Sequence, residues 1–355
     1  MRLIRAQRHE TRIPGHSATG ISLPADFPGH HYNGALPGSL PGQIWEWRMR
    51  ILVVGVGATG GYFGARLLQA GRDVTFLVRP RRAAQLAEHG LRVKSPHGDL
   101  HFPNPPVVLS EQITQPYDVV LLSCKAYDLE SAMDGFAPAM GPNTVIIPLL
   151  NGMQHLDRLD ARFGAGRVMG GRCLISSTLD DQGTILHLSS FHVLSFGERP
   201  SGSSERALAL AAAFSDAGFD VQRSDAMLQD MWEKWLFLAT LASATCLMRA
   251  TIGDILAAPR GRETIAALLG ECAGVAAANG YPARGPVLEQ AKTTLFAEGS
   301  PLTASMLRDL ERGGAIESDQ IVGDMLARRG QTAAPTLEMA LTSLKAYEAR
   351  RARGG

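Results

Sequence analysis

Short apolar runs alternate with amphipathic segments over the first part of the chain. Ile51–Val56 is an almost uninterrupted apolar run, and Val74–Val78, Tyr117–Ser123 and Thr144–Leu150 repeat the pattern. Runs of this length, rich in β-branched residues, are typical of strands buried on both faces of a parallel sheet. A helical pattern, Tyr62–Ala70, separates the first two runs. This order predicts an α/β fold with a Rossmann-type doubly wound sheet.

The hydrophobic pattern changes near residue 225. Before it, the sequence predicts further strands and helices, namely strands at Val168–Thr178, Thr184–Leu188, His192–Gly197 and Phe219–Gln222 and helices at Met153–Phe163 and Glu205–Ala217. After it, strand signals stop and only amphipathic helices follow. We therefore expect a Rossmann domain over residues 49–224 and an all-helical domain over residues 225–355.

Residues 1–48 differ from everything that follows. They are rich in Pro, Gly, His and Arg and lack sustained periodicity, and the first strand begins directly after Met49. Such a composition does not bury enough apolar surface to fold. We expect a disordered leader that precedes the native start at Met49.

Composition narrows the classes of partner. A net charge of +1 argues against a nucleic-acid partner or a membrane surface. No apolar stretch reaches the roughly 18 residues that a membrane helix needs. The widely spaced cysteines predict free thiols in a cytoplasmic protein, and neither they nor the histidines have zinc-site spacing, so we expect no metal. The sequence is compatible with a homodimer.

The turn after the first strand carries the first functional signal. Gly55, Gly57 and Gly60 form G-x-G-x-x-G, with Ala58 and Thr59 between the second and third glycines. The first glycine allows the tight turn, the second the approach of a pyrophosphate, and the third close helix–strand packing. Because a strand precedes the turn and a helix and a second strand follow it, the motif predicts a dinucleotide site; the alternative is a glycine-rich turn without a ligand.

The end of the second strand indicates which dinucleotide binds. A site that prefers NAD usually has an acidic residue there, and this chain has Arg79, followed by Arg81 and Arg82. A guanidinium makes paired, charge-assisted bonds to phosphate oxygens. We therefore predict that Arg79, helped by Arg81 or Arg82, binds the 2′-phosphate of NADP(H). The alternative is that these arginines only form a solvated basic start to the next helix.

Polar side chains follow two further strands. Lys125 comes after Tyr117–Ser123, and Asn151 comes after Thr144–Leu150. Ligands of open α/β sheets bind at the carboxyl ends of the strands. The sequence therefore predicts a cation and an amide in one crevice.

The first long helix of the second domain contains a candidate proton donor. Lys234 shares its predicted helical face with Leu238, Leu241 and Thr245. If it lines a cleft beside a nicotinamide, partial desolvation lowers its pKa and the ammonium can protonate a ketone oxygen. The alternative is an ordinary solvated lysine.

Two later residues have competing interpretations. Ser305 can donate a hydrogen bond to a substrate carboxylate, and Glu317 can accept one from a ribose hydroxyl or orient the lysine. Both also fit helix capping, with Ser305 starting one helix and Glu317 in the first turn of the next.

These motifs in this order resemble the ketopantoate reductase (2-dehydropantoate 2-reductase) family. They are the glycine turn, Lys125 in CKAY, Asn151 in NGM, Lys234 in WEK, Ser305 in SMLRD and Glu317 in ESD, and the resemblance covers residues 49–347. It implies a Rossmann domain joined to an all-helical domain like that of 6-phosphogluconate dehydrogenase, with the active site between them. It also implies NADPH-dependent reduction of 2-dehydropantoate to pantoate, a step of pantothenate and coenzyme A biosynthesis.

The resemblance also implies a role for each residue. Lys234 would be the general acid, and Asn151 would hold the nicotinamide end and the substrate. Lys125 would lie near the cofactor and the reacting carbonyl. Ser305 would bind the substrate carboxylate. Glu317 would contact the cofactor ribose and polarise the site.

The chain departs from the family pattern beside the catalytic lysine. The family normally has asparagines four and eight residues after it, and this chain has Leu238 and Ala242, with Thr245 as the nearby polar replacement. A lost amide weakens recognition of a substrate hydroxyl. Two alternatives therefore stand beside ketopantoate reduction: an NADPH-dependent reductase of another 2-oxo acid or ketone, and a non-catalytic NADP-binding sensor.

Overall fold

The computed structural model describes residues 49–199 and 201–354, so the expectation for residues 1–48 lies outside the described residues. The strands are β1 Arg50–Val54, β2 Asp73–Leu77, β3 Leu91–Lys94, β4 Leu100–Phe102, β5 Val107–Val108, β6 Tyr117–Leu122, β7 Met140–Pro148, β8 Gly170–Leu179, β9 Ile185–Gly197 and β10 Asp220–Arg223. The helices are α1 Ala58–Gln69, α2 Pro80–His89, α3 Leu129–Phe136, α4 Gln154–Phe163, α5 Glu205–Phe214, α6 Met227–Met248, α7 Ile252–Ala257, α8 Gly261–Ala278, α9 Gly285–Leu295, α10 Ser305–Glu311, α11 Asp324–Ala327 and α12 Pro335–Ala352. The predicted α/β fold class is confirmed.

The first sheet is parallel and has the order β5-β2-β1-β6-β7. Side chains of β1 alternate between two hydrophobic clusters, with Ile51 and Val53 in one and Leu52 and Val54 in the other. Burial on both faces explains why this strand is apolar throughout. The strand order reverses between β1 and β6, which opens a crevice at their carboxyl ends.

The second sheet has the order β10-β9-β3-β4, and β8 pairs with β9. Helix α1 is buried between the two sheets, where Tyr62 and Phe63 share a hydrophobic cluster with Leu194 and Phe196. This layer fixes the direction of α1, so that its N-terminus lies at the carboxyl end of β1.

The prediction of two separate strands at Thr184–Leu188 and His192–Gly197 was wrong, because both belong to the single strand β9. The serines between them resemble a turn in sequence. Instead, Ser189 Oγ accepts a hydrogen bond from the Ser176 amide at 3.0 Å and donates to the Phe191 carbonyl at 2.8 Å. A register shift in β8 at this level absorbs the irregularity without breaking the strand.

The C-terminal part is built around α6. This helix packs on α8, α10 and α12 and also reaches β8 of the second sheet. Trp235 is almost fully buried, and its Nε1 donates to the Ile321 carbonyl at 3.0 Å. One hydrophobic cluster runs from Leu52 and Val54 through α6 into the helical domain, so the two domains share a core along one face of the first sheet.

Among the described helices, none has the length and apolar character required to span a bilayer.

Each of the four cysteines is a free thiol, and burial raises the pKa of Cys246 and Cys272 to about 12. These two thiols are therefore protonated and unreactive at neutral pH.

Candidate active site

The glycine turn connects β1 to α1 at the crevice. Gly55 has φ +91°, a conformation that favours glycine, and a Cβ on Gly60 would collide with the Gly55 carbonyl and Ser123 Oγ. A Cβ on Gly57 would meet nothing within 4 Å, so this side of the turn is open. Helix α1 begins at Ala58 with no acidic residue in its first turn. Free amides and a positive helix end on an open side suit a pyrophosphate.

Arg79 follows β2 on the same edge of the sheet. Its side chain is 65% exposed, and Nη2 donates to Asp128 Oδ1 at 2.8 Å and to Ser131 Oγ at 2.7 Å. Arg82 instead turns toward the Gly183 carbonyl, at 3.2 Å. Arg79 therefore keeps guanidinium donors accessible for a phosphate, and Arg82 is partly engaged within the protein.

Lys125 is held by carboxylates of the helical domain. Its Nζ lies 3.0 Å from Asp309 Oδ2 and 3.1 Å from Glu317 Oε2, and Glu317 Oε1 accepts from the Ala126 amide at 3.0 Å. Burial alone would lower the pKa of Lys125, but the two carboxylates offset this effect and raise it overall. Lys125 is therefore a permanent cation at neutral pH, and Glu317 bridges the domains.

Lys234 of α6 meets Asn151 at the end of β7. Its Nζ donates to Asn151 Oδ1 at 3.0 Å, while the Asn151 carbonyl accepts from Gln320 Nε2 at 2.7 Å. Burial lowers the pKa of Lys234, and the neighbouring Arg172 guanidinium lowers it further. This partly buried lysine is thus engaged across the domain boundary, unlike a solvated surface lysine.

A small cavity lies beside this contact. It is lined by Leu150, Asn151, Gly152, Gly171, Arg172, Met231, Lys234, Trp235 and Leu238. Its volume is about 10 Å³, which is room for about one water molecule. A keto acid at Lys234 therefore requires the lining side chains or the two domains to move apart. Leu238 contributes apolar surface to this lining.

The structure keeps Ser305 near the cleft but outside this cavity. Ser305 is exposed and is the first residue of α10, whose N-cap is Ala304. Ser305 thus begins a helix, as the alternative interpretation has it, although Ala304 occupies the N-cap position and no described side chain caps this helix end. It lies one helical turn before Asp309, which holds Lys125, so the two side chains share a helical face.

Thr245, which the sequence offered as the nearby polar replacement for substrate binding, is not among the residues that line the cavity beside Lys234. It is fully buried, its Oγ1 donates to the Leu241 carbonyl at 2.7 Å, and it accepts from the Ala304 amide at 3.4 Å. Eleven residues separate it from Lys234, or roughly 16 Å along the helix axis. Sharing a helical face therefore does not place it in the same site, and its hydroxyl joins α6 to the start of α10.

Sequence reasoning missed three residues of this region. Asp309 pairs with Lys125, Gln320 binds the Asn151 carbonyl, and Arg172 lines the cavity beside Lys234. Asp309 lies inside the SMLRD motif and so was within reach of a sequence argument. Arg172 and Gln320 carry no local signal, because their partners are distant along the chain.

Three histidines lie together outside the cleft. His97, His187 and His192 place ring nitrogens within 4.8 Å of one another. Their ring planes differ by 19–24°, and the His97 and His192 centroids are 3.8 Å apart. Near-parallel stacked imidazoles do not direct their in-plane lone pairs at one point, so this arrangement is a stack and not a chelate. Burial lowers the pKa of His192 to about 4, which keeps that ring neutral at pH 7.

Family profiles match most of the chain. Residues 51–201 match the profile described as "Ketopantoate reductase PanE/ApbA", and residues 226–348 match that of its C-terminal domain. Residues 202–225, which contain α5 and β10, lie between the two matches, and the second match begins just before α6.

Individual relatives agree with this result. The chain is 40% identical over 303 residues to the uncharacterized oxidoreductase YkpB of Bacillus subtilis, covering 85% of this chain and 99% of that protein. It is 26% identical over 320 residues to a 2-dehydropantoate 2-reductase of Mesorhizobium japonicum, covering 84% and 97%. The crystal structure of 2-dehydropantoate 2-reductase from Geobacter metallireducens superposes with a TM-score of 0.76 at 30% identity, covering 84% and 99%.

Proposed function

The chain belongs to the ketopantoate reductase family, and from this premise we propose that it reduces the ketone of a 2-oxo acid with NADPH, with Lys234 as the proton donor. Members of the family are oxidoreductases that use a nicotinamide cofactor. The proposal concerns which phosphate form of the cofactor binds, which residues act and which acid is reduced.

The contact between Lys234 and Asn151 carries the proposal. It places an ammonium with a lowered pKa at the carboxyl edge of the sheet, where the glycine turn also lies. A proton donor must be charged but ready to lose its proton, and burial beside an uncharged amide provides this balance. Asn151 Oδ1 orients the ammonium, which delivers its proton to the ketone oxygen as negative charge develops there.

The cofactor site is assigned to residues around that edge. The amides of Gly57, Ala58, Thr59 and Gly60 fit the pyrophosphate, and Gly55 makes the turn. When bound, the reduced nicotinamide supplies the hydride.

The remaining cofactor contacts are assigned by charge. Lys125 and Glu317 contribute a cation and a carboxylate near the ribose and nicotinamide end, beside Asn151. The exposed Arg79 is assigned to the 2′-phosphate because its remaining donors are accessible. If so, Arg79→Glu raises the KM for NADPH relative to that for NADH by roughly 10- to 100-fold. An unchanged ratio of the two KM values would assign NADP(H) preference elsewhere.

Ketopantoate is the first candidate substrate, because relatives such as the Mesorhizobium japonicum protein carry the name 2-dehydropantoate 2-reductase. A second candidate is a 2-oxo acid with a more apolar side chain. It is favoured by Leu238, which lines the cavity, and by the buried Ala242, which together replace two amides.

A panel of 2-oxo acids and ketones, followed by loss of NADPH absorbance, tests the proposal. Ketopantoate and its analogue without the hydroxyl, 3,3-dimethyl-2-oxobutanoate, form the central pair. Preference for ketopantoate supports the first candidate, and equal or better turnover of the analogue supports the second. NADPH binding without turnover of any member would favour the non-catalytic sensor and contradict the proposal.

A further inference from the structure

Arg172 is brought to the cavity by local backbone packing. It follows two glycines at the start of β8, and a Cβ on Gly171 would collide with the Pro148 carbonyl of β7. The close approach of β8 to β7 places Arg172 beside Asn151, which follows β7, and opposite Lys234 of α6. All three side chains line the same cavity.

The Arg172 guanidinium has few partners for a buried cation. Its side chain is 12% exposed, and Nη1 donates to the Asp230 carbonyl at 3.3 Å, while Nη2 lies 4.0 Å from Asp230 Oδ2. Its Nε is buried and makes no hydrogen bond within the part of the chain that the structure describes. A guanidinium has five N–H donors, and a buried donor without an acceptor costs free energy.

The nearby carboxylates are committed to other groups. Asp230 accepts from Arg284 and, at 2.6 Å, from Ser224 Oγ. Glu233 accepts from the Arg284 amide at 2.9 Å and from Arg284 Nε at 2.8 Å. Arg284 therefore neutralises much of the negative charge around Arg172.

The cavity itself is cationic. Its described lining residues include the cations Arg172 and Lys234 and no acidic side chain. Two partly buried cations without a lining carboxylate favour an anionic occupant. The rest of the lining is mainly apolar, with Leu150, Met231 and Leu238 contributing to it.

We propose that Arg172 binds the carboxylate of the substrate, and that the occupant is a 2-oxo monocarboxylic acid with an apolar side chain. The carboxylate of such an acid is bonded directly to its ketone carbon, so the residues that bind the two groups must line one cavity, as Arg172 and Lys234 do. This cavity of about 10 Å³ must open, by movement of its lining side chains or of the two domains, before the acid enters. The planar guanidinium pairs with both carboxylate oxygens, and the apolar side chain lies against Leu238. This inference rests on the proposed 2-oxo acid reduction and assigns the carboxylate to a residue of β8 instead of Ser305.

The test compares one 2-oxo acid with its methyl ester, which keeps the ketone and loses the charge. For the wild-type protein we expect kcat/KM for the acid to exceed that for the ester by roughly 100-fold. Arg172→Leu should lower the value for the acid by roughly 100-fold and leave that for the ester within about threefold. Arg158→Leu, which removes a surface arginine that pairs with Glu130, is the matched control and should change neither value. Equal losses for acid and ester would assign Arg172 a structural role and overturn the inference.

A second variant covers the case in which Arg172→Leu does not fold. Arg172→Lys keeps the charge and loses the planar pair of donors, so the preference for the acid should fall by roughly 10-fold at an unchanged Tm. An undiminished preference in a folded Arg172→Lys protein would overturn the inference.

Calorimetric titration with the corresponding 2-hydroxy acid separates the inference from the proposed function. Binding should weaken in the folded Arg172 variant and persist in Lys234→Met. A wild-type protein that binds the hydroxy acid through Arg172 but reduces no 2-oxo acid would contradict the proposed function and keep the carboxylate site. Binding that is unchanged in the Arg172 variant would contradict the carboxylate site alone.

Discussion

Two lysines lie at the boundary between the sheet domain and the helical domain, in opposite environments. Lys125 Nζ contacts two carboxylates, at 3.0 Å from Asp309 and 3.1 Å from Glu317, which raise its pKa against the effect of burial. Lys234 Nζ contacts the neutral amide of Asn151 at 3.0 Å, and burial lowers its pKa. The charge of the partner, more than burial itself, decides whether the pKa of a lysine in this cleft rises or falls.

Replacing Lys234, the proposed proton donor, should have the largest effect on kcat. We expect Lys234→Met to lower kcat by roughly 100- to 10,000-fold, because a positioned general acid contributes about that much. NADPH affinity, measured by fluorescence titration, should stay within about threefold, because Lys234 donates a proton without holding the cofactor phosphates. Lys345→Met, which removes an exposed lysine paired with Asp319 and Glu348, is the control and should leave kcat unchanged. A Lys234→Met protein with near-wild-type turnover would contradict the proposed role of Lys234 as the proton donor.

Neutralising a carboxylate beside Lys125 should have a smaller and different effect. Glu317→Gln keeps an acceptor for the Ala126 amide and removes the negative charge that pairs with Lys125. We expect the KM for NADPH to rise by roughly 10-fold, because a charge-assisted contact that orders the cleft is lost, while kcat changes less. Asp309→Asn is the companion variant, with the same expected direction. A fall in kcat as large as that of Lys234→Met would instead place Glu317 in the chemical step.

Restoring the family amide should have the smallest effect. Leu238→Asn adds a hydrogen-bonding group to the cavity beside Lys234. We expect the ratio of kcat/KM for ketopantoate to that for 3,3-dimethyl-2-oxobutanoate to rise by roughly 2- to 10-fold, which corresponds to one hydrogen bond. Leu238→Met, which keeps the site apolar, should leave the ratio unchanged. An Asn variant with the same ratio as the Met variant would show that this position does not contact the hydroxyl.

The sequence predicts some parts of the site around the two lysines and not others. The glycine turn is a local signal, because strand, turn and helix are consecutive, and the structure has β1, the turn and α1 in this order. Lys125 and Asn151 were placed at one edge because parallel strands end there together. The amide of Gln320 and the cation of Arg172 had no such rule, since each comes from an element whose packing partner is remote in sequence.

The position of Thr245 shows the limit of helical periodicity. Periodicity gives the face of a helix on which a side chain lies, but not what covers that face at each level. At the level of Lys234 the face meets Asn151, and three turns later it meets the amide of Ala304. Only the tertiary packing distinguishes the surroundings of Lys234 from those of Thr245.

The pH dependence of kcat/KM for the best substrate, in wild type and in Lys234→Met, tests the central claim most directly. Because burial lowers the pKa of Lys234 from the ordinary 10.5, the ammonium loses its proton at a lower pH than that of a solvated lysine. The account predicts that wild-type kcat/KM falls as pH rises through that pKa, and that the residual rate of Lys234→Met shows no such fall. The same alkaline decline in both proteins would contradict Lys234 as the proton donor.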